Sequence, residues 1–389
     1  MTAEPSGPDE TLRADESAEP ARGQPPVRPT TIPPATSPPL AAPPTAMPQQ
    51  AAPLPSGAEL ADPAPRAPGL SHETLARRRS ERPTMGWRAA LYALTGLNPG
   101  PSEVESRRNA KIARIKAPLP GCFKLAVVSL KGGVGKTTTT GLLGLTLAEH
   151  RGDRAIALDA NPDAGTLAER LLGYEPQVTV RDLLANIDRI ETLTHVDPSR
   201  ALSGYTALAG RLHVLASEQD PAMSEMFNSE EYAAVSRLLS RFYNIILTDS
   251  GTGLVHSAMQ GTLDNTHSLV IVGAPTVDGA SRAAKTLDYL AAHGFEQMVR
   301  NAVVALSCDR HSDDIKRDVI VDHFAERVRA VVEIPADRHL AMGGMIDLRY
   351  LAEPTRDAAL DLAAAVTDAF NGQHHVTQST EPRARAGQR

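Results

Sequence analysis

Residues 125–138 read Leu-Ala-Val-Val-Ser-Leu-Lys-Gly-Gly-Val-Gly-Lys-Thr-Thr. An aliphatic run is followed by a glycine-rich turn and then by residues that open a helix, which is the context a phosphate-binding loop requires. The glycines permit backbone angles that other residues avoid, so that successive N–H groups converge on phosphate oxygens at the positive end of a helix dipole. We therefore predict that Lys136 reaches the β- and γ-phosphates of a nucleotide and that the Thr137 hydroxyl binds Mg²⁺. The predicted nucleotide-binding residues of this loop are Gly132, Gly133, Val134, Gly135, Lys136, Thr137 and Thr138.

Short aliphatic runs alternate with helix-length amphipathic segments along the rest of the chain, a pattern typical of a parallel α/β sheet. The predicted strands are 125–130, 155–158, 212–216, 245–248, 268–272, 302–307 and 328–334. The predicted helices are 137–150, 164–172, 180–187, 230–240, 280–292, 314–327 and 356–370. Nearly every strand is apolar on both faces, which indicates helices on both sides of the sheet. The predicted fold is therefore a doubly wound, mostly parallel sheet with ligands bound beyond the carboxyl ends of its strands.

The amino-acid composition of the chain changes before the first predicted strand. Residues 1–70 hold 18 of the 31 prolines and no Phe, Tyr or Trp. Such a stretch cannot bury enough apolar surface to offset the entropy lost on ordering it. We predict a disordered Pro/Ala-rich tail over 1–70, an arginine-rich linker over 71–118, a nucleotide-binding domain over 119–373 and a polar tail over 374–389.

The predicted linker contains one short amphipathic element. Trp87, Leu91 and Leu94 recur at helical spacing and are flanked by basic residues. The sequence leaves open whether this element docks on the nucleotide-binding domain, on a partner or on a membrane surface.

Charge, cysteine content and hydropathy narrow the class of protein. A net charge of −6 argues against a surface built throughout for nucleic acid, although the arginines between 77 and 116 leave a local patch open. Cys122 and Cys308 form no metal-binding or redox spacing. The N-terminus lacks a signal-peptide pattern, and no run of about 18 apolar residues occurs. We therefore expect a soluble cytoplasmic protein without a transmembrane segment.

The run 131–138, KGGVGKTT, resembles the deviant Walker A motif of the ParA/MinD family of P-loop ATPases, in the SIMIBI class. The general P-loop pattern would place glycine at the position of Leu130, which here precedes a lysine. In the family this added lysine, here Lys131, reaches across a nucleotide-sandwich dimer to the phosphates of the partner. The resemblance therefore implies MgATP as ligand, an ATP-dependent homodimer, and catalytic roles for Lys131 and Lys136.

A second segment matches the family's D-x-D-P motif at Asp159 and Pro162 and departs from it at Asn161. Family members commonly have an aspartate there, which orients the attacking water. Asparagine can hydrogen-bond that water but cannot accept its proton. Since phosphoryl transfer rests mainly on positioning and charge stabilisation, we expect slow hydrolysis rather than none, with Asp159 and Asn161 in the catalytic group. Asp163 is either a substitute carboxylate or a helix N-cap.

Two further segments complete the resemblance. Asp249, after a buried strand, resembles the Walker B aspartate that holds Mg²⁺ through water, and Gly251 and Gly253 resemble switch II glycines that approach the γ-phosphate. For adenine, the asparagine usual after the sixth strand is missing from the segment 306–309. Pro335 and Asp337 match the family's second adenine loop.

Outside this domain, the proline-rich tail, the arginine cluster and segments 86–88 and 94–102 resemble the EspI-type ATPases of actinobacterial type VII (ESX) secretion. This resemblance implies a switch ATPase that contacts a secretion-machinery component through residues 1–118. A partition ATPase that binds nonspecific DNA is the first alternative, and the chain's acidic balance disfavours it. An ATP-binding regulator without significant hydrolysis is the second.

Overall fold

The computed structural model describes residues 82–161, 165–192, 198–219, 227–251, 257–308 and 314–370, so the predicted tails lie outside it. Its centre is an eight-stranded sheet in the order β3-β4-β2-β5-β1-β6-β7-β8. All neighbours are parallel except β3 and β4, which form an antiparallel edge. This sheet confirms the predicted fold class. The strands are β1 (Phe123–Val128), β2 (Ala155–Ala160), β3 (Ala207–Ala209), β4 (Leu212–Leu215), β5 (Ile245–Ser250), β6 (Ser268–Gly273), β7 (Val303–Cys308) and β8 (Ala330–Pro335).

Helices connect these strands and cover both faces of the sheet. Across the described ranges, none of them is both long and apolar enough to cross a bilayer. They are α1 (Gly86–Thr95), α2 (Glu103–Ile115), α3 (Lys136–His150), α4 (Leu167–Leu172), α5 (Val180–Ala185), α6 (Ile187–Glu191), α7 (Pro198–Leu202), α8 (Ser229–Ser240), α9 (Ser257–Asp264), α10 (Val277–Ala292), α11 (Glu296–Asn301), α12 (Arg317–Ala325), α13 (Arg338–Ala341) and α14 (Glu353–Thr367), with a 3₁₀ turn at Leu348–Tyr350.

The central strands alternate their side chains between two cores, as strands covered on both faces must. On β1, Phe123, Leu125 and Val127 belong to the core under α3 and α14. Ala126 and Val128 belong to the core on the opposite face. The near-continuous apolar runs of the sequence therefore reflect burial on both sides of the sheet.

Several element boundaries differ from the predicted ones. Strand β1 lies two residues earlier than predicted, because Phe123 already pairs with Ile245 and because the Ser129 hydroxyl accepts the Lys131 backbone N–H at the start of the loop. The predicted helix 180–187 is interrupted at Asn186 and forms α5 and α6. Strand β3 was not predicted, since three residues are too few to show an alternating pattern.

The second half of the predicted linker is a helix that packs on the domain. Helix α2 lies along α14, where Lys111 pairs with Asp361 at 2.7 Å and Arg114 pairs with Asp368 at 2.5 Å. Ile115 at the end of α2 is buried in the same core as β1 and α14. Residues 103–115 are therefore part of the folded body, although their sequence reads as a basic connector.

Arg151, directly after α3, hydrogen-bonds the backbone at the end of α2, and its removal should destabilise the fold. The guanidinium is buried, donates to the carbonyls of Ile115 and Ala117 and lies 5.3 Å from the ring centroid of Phe370. Arg151→Ala leaves these carbonyls without their donor, and we expect it to lower the free energy of unfolding by about 2–4 kcal/mol. Urea unfolding measures this loss. The exposed Arg107→Ala serves as control and should leave the midpoint unchanged. Equal midpoints for the two variants would contradict the assignment.

Candidate nucleotide-binding site

The glycine-rich loop joins the carboxyl end of β1 to the first residue of α3. Gly133 and Gly135 have φ angles of +69° and +94°, a region that side-chain-bearing residues rarely adopt. A Cβ atom on Gly135 would also lie 3.2 Å from the Ser307 hydroxyl oxygen. Helix α3 begins directly after Gly135, so its first N–H groups lack intrahelical acceptors and stand at the positive end of the helix dipole. The loop therefore has the backbone shape of an anion cradle.

Lys136, Thr137 and Asp249 lie together at this cradle, as the sequence predicts. Lys136 is buried, which lowers the pKa of its ammonium, while the charge of Asp249 opposes that effect. Burial raises the pKa of the Asp249 carboxyl, the neighbouring Thr137 side chain opposes that effect, and the Thr140 hydroxyl lies 3.1 Å from Asp249 Oδ1. Sequence reasoning missed Thr140, although its place one helical turn after Lys136 could have indicated it. A buried ammonium, two hydroxyls and a carboxylate thus converge at the start of α3.

Asp159 lies opposite Asp249 on the neighbouring strand. Burial and the negative charge of Asp249 both raise the pKa of Asp159. Its Oδ1 accepts the Asn161 backbone N–H at 3.1 Å, and its Oδ2 accepts the Leu167 N–H at 3.0 Å. A Cβ atom on Gly165 would lie 2.0 Å from Oδ2, so this close approach needs glycine. Asp159 therefore holds both ends of the segment that carries Asn161.

The segment around Asn161 is described only in part. Asn161 is half-buried at the carboxyl edge of β2, the strand next to β5. Pro162 and Asp163 lie outside the described residues, and so does Gly253. Gly251 is buried directly after β5, whose last residue, Ser250, donates its hydroxyl to the Val127 carbonyl at 2.7 Å. The segments predicted to form the switch elements thus begin at the carboxyl edge of the sheet.

Lys131 contacts another element of its own chain. Its Nζ donates to Asp278 Oδ2 at 2.6 Å, and Asp278 lies in the first turn of α10. This hydrogen bond lowers the pKa of Asp278, and Arg282 adds a longer contact at 3.4 Å. The pair is partly exposed to solvent. Asp278 is a partner that the sequence analysis did not identify.

A cavity of about 400 Å³ adjoins the loop at the predicted adenine position. It is lined by Thr138, by Ser307 at the end of β7, and by Pro335 and Asp337 after β8. The Asp337 carboxylate accepts the backbone N–H groups of His339 and Ala352, each at 2.8 Å. Asp337 therefore shapes the cavity wall, and its contact with adenine stays a prediction.

Arg170 links the phosphate loop to the wall of this cavity, and no sequence motif marks it. Its guanidinium donates to the Thr138 hydroxyl at 3.2 Å and to the Gly344 carbonyl. Its own carbonyl accepts the Ile346 N–H at 2.7 Å. Helix α4 thereby ties the start of α3 to the segment that follows α13.

The groups at this edge fit a magnesium–nucleotide complex. The Thr137 hydroxyl and the Asp249 carboxylate are oxygen donors of the kind that Mg²⁺ prefers. The cradle and the Lys136 ammonium suit a polyphosphate, and the cavity beyond Thr138 has room for a base and ribose.

The chain belongs to the CobQ/CobB/MinD/ParA nucleotide-binding domain family, whose model matches residues 125–375. The ESX-1 secretion-associated protein EspI of Mycobacterium tuberculosis is 35% identical over 288 residues, which are 73% of this chain and 42% of EspI. The chain thus spans less than half the length of that relative. The septum site-determining protein MinD of Thermotoga maritima is 27% identical over 180 residues, 46% of this chain and 62% of that protein.

Solved structures support the same fold. The cell division ATPase MinD of Pyrococcus furiosus superposes with a TM-score of 0.51 at 23% identity, over 63% of this chain and 98% of that one. A ParA family ATPase from Chlorobium tepidum gives a TM-score of 0.53 at 20% identity, over 62% of this chain and 98% of that one.

Proposed function

We propose that this chain is a MgATP-binding, slowly hydrolysing switch ATPase that dimerises when ATP is bound. The observation that carries the proposal is the cluster of Lys136, Thr137 and Asp249 at the glycine-rich loop, which Lys131 precedes. Thr137 and Asp249 would hold a bound Mg²⁺, which would supply positive charge against the charge of the phosphates.

The chain's own residues have separate roles in binding and hydrolysis. The loop N–H groups and Lys136 bind and orient the phosphates, and Thr137 and Asp249 hold the metal. Asp159 positions the segment that carries Asn161, since its carboxylate is engaged by two backbone N–H groups. Asn161 orients the attacking water through its amide. Lys131 stabilises phosphate charge across the dimer.

Replacing Asn161 with aspartate tests the slow hydrolysis. Aspartate has nearly the same shape and adds a carboxylate that accepts a proton from water, so Asn161→Asp should raise the rate of phosphate release about 10-fold, or about 1.4 kcal/mol of barrier. Steady-state phosphate release from full-length protein in saturating MgATP measures this. The Lys136→Ala variant gives the background rate of phosphate release. A variant no faster than the wild type would remove the role of Asn161, and a wild type at the background rate would favour an ATP-binding regulator without hydrolysis.

The cellular setting that we propose is type VII secretion. The support is the 35% identity with EspI over 73% of the chain. We propose that residues 1–118 contact a component of the secretion machinery, since they lie entirely outside the nucleotide-binding family match. Co-purification of the full-length chain with type VII secretion components of the same organism, compared with a chain lacking residues 1–81, tests this. Equal recovery of both chains would contradict a role for the tail.

A further inference from the structure

Helix α1 presents large apolar side chains to solvent. Trp87 is 68% exposed and Leu94 86% exposed, and none of the ten helical residues is buried. Met85, directly before the helix, is 47% exposed, and Leu97, just after it, is 66% exposed. Trp87 and Leu94 are seven positions apart and so lie on one face of the helix. The helix therefore carries an apolar surface along its length and beyond both ends.

Polar contacts hold α1 in place and leave that apolar surface free. The backbone N–H and the hydroxyl of Thr84 both donate to Glu105 Oε1 at 2.6 Å, and Glu105 is buried at the start of α2. Arg88 donates to the carbonyls of Gly100 and Pro101, in the turn between the two helices. Since the apolar side chains make none of these contacts, α1 has a fixed attachment and an apolar face that no other described residue covers.

The described sequence around α1 is basic. Residues 82–116 contain five arginines and two lysines against two glutamates and no aspartate, in a chain whose net charge is −6. The guanidinium of Arg88 lies 5.5 Å from the Trp87 ring, and that of Arg82 lies 5.5 Å from the Tyr92 ring. Positive charge and aromatic surface thus occur side by side, the combination that suits the boundary between lipid headgroups and acyl chains.

We propose that α1 docks this ATPase on an anionic membrane surface. Trp87, Leu94 and the flanking Met85 and Leu97 enter the headgroup boundary, and Arg82 and Arg88 lie against lipid phosphates. A bilayer surface accepts the apolar face of the helix together with the apolar side chains directly before and after it, and the neighbouring positive charge favours an anionic surface. A ten-residue helix inserts too little apolar area for stable binding alone, so binding needs both the apolar and the electrostatic contribution and is reversible.

The single tryptophan of the chain makes the test direct, because its fluorescence reports only on α1. Full-length protein is titrated with vesicles of phosphatidylcholine alone and with vesicles containing about 30% phosphatidylglycerol. We expect a blue shift of the emission with the anionic vesicles only. Raising NaCl from about 0.05 to about 0.5 M should weaken binding at least 10-fold, because salt screens the arginines.

Substitutions then test whether α1 or another exposed apolar surface binds the vesicles. Leu94→Ser with Leu97→Ser keeps the fluorescent probe and should weaken binding about 10-fold or more, with phosphate release unchanged. Val319→Ser with Tyr350→Ser removes two other exposed apolar side chains and should leave vesicle binding within about 2-fold. The proposal would be overturned if the wild type does not bind anionic vesicles, or if both double variants lose the same amount of vesicle binding. The first result would leave a protein groove as the occupant of α1.

Discussion

Lys136→Ala is expected to lower the affinity of the chain for MgATP by about 100-fold, or ~3 kcal/mol. The ammonium is buried beside Asp249 at the start of α3, so it is already desolvated and positioned before any phosphate arrives. Its removal takes away the cation that offsets the buried Asp249 carboxylate at the proposed phosphate site. Titration calorimetry with MgATP measures the change.

A matched control distinguishes this effect from a general loss of positive charge. Lys285→Ala removes an exposed lysine from α10 and should bind MgATP as the wild type does. Thermal unfolding without nucleotide checks that both variants are folded. Equal affinities for Lys136→Ala and the wild type would place the nucleotide elsewhere and would remove the basis of the proposed function.

The parts of this site that the sequence predicts are local or follow from the topology. The loop residues are adjacent in sequence, so their pattern implies a turn geometry directly. Asp249 lies at the carboxyl end of a separate buried strand, and in a parallel sheet the carboxyl ends of the strands meet at one edge. That Lys136, Thr137 and Asp249 lie at one edge of the sheet therefore follows from the parallel direction of the strands, which the alternation of strands and helices indicates. That β1 and β5 are direct neighbours is visible only in the structure.

The missed contacts join residues that are far apart in sequence. Lys131 and Asp278 are separated by 147 positions, and Arg170 and Gly344 by 174. No spacing rule relates such pairs. Helix α2 was missed for a different reason: it has few apolar residues, and it is held by ion pairs with α14 and by the capping box of Ser102 and Glu105. The packing of α2 on α14 therefore cannot be predicted from the sequence of α2 alone.

In the proposed switch, MgATP raises the dimer fraction of the wild type. Lys131→Ala is expected to abolish that rise while leaving the affinity of the monomer for MgATP within about 3-fold. Within one chain Lys131 pairs with Asp278 across a partly exposed contact, and such pairs contribute little to stability. The lysine is therefore available to exchange Asp278 for the phosphates of a second copy. Sedimentation velocity with and without MgATP measures the dimer fraction, and calorimetry measures binding.

Asp278→Asn changes the other residue of the Lys131–Asp278 pair and should have the opposite effect on the dimer fraction. It removes the carboxylate that competes with phosphate for Lys131, so at a limiting protein concentration it should raise the ATP-dependent dimer fraction above that of the wild type. Lys285→Ala, on the same helix as Asp278, should behave as the wild type. Because Lys131→Ala and Asp278→Asn both break the contact within one chain, only a role for Lys131 in the dimer makes their effects differ in sign. If both variants dimerise to the same extent, the lysine acts within its own chain. If the wild type stays monomeric in saturating MgATP, the switch does not operate through dimerisation.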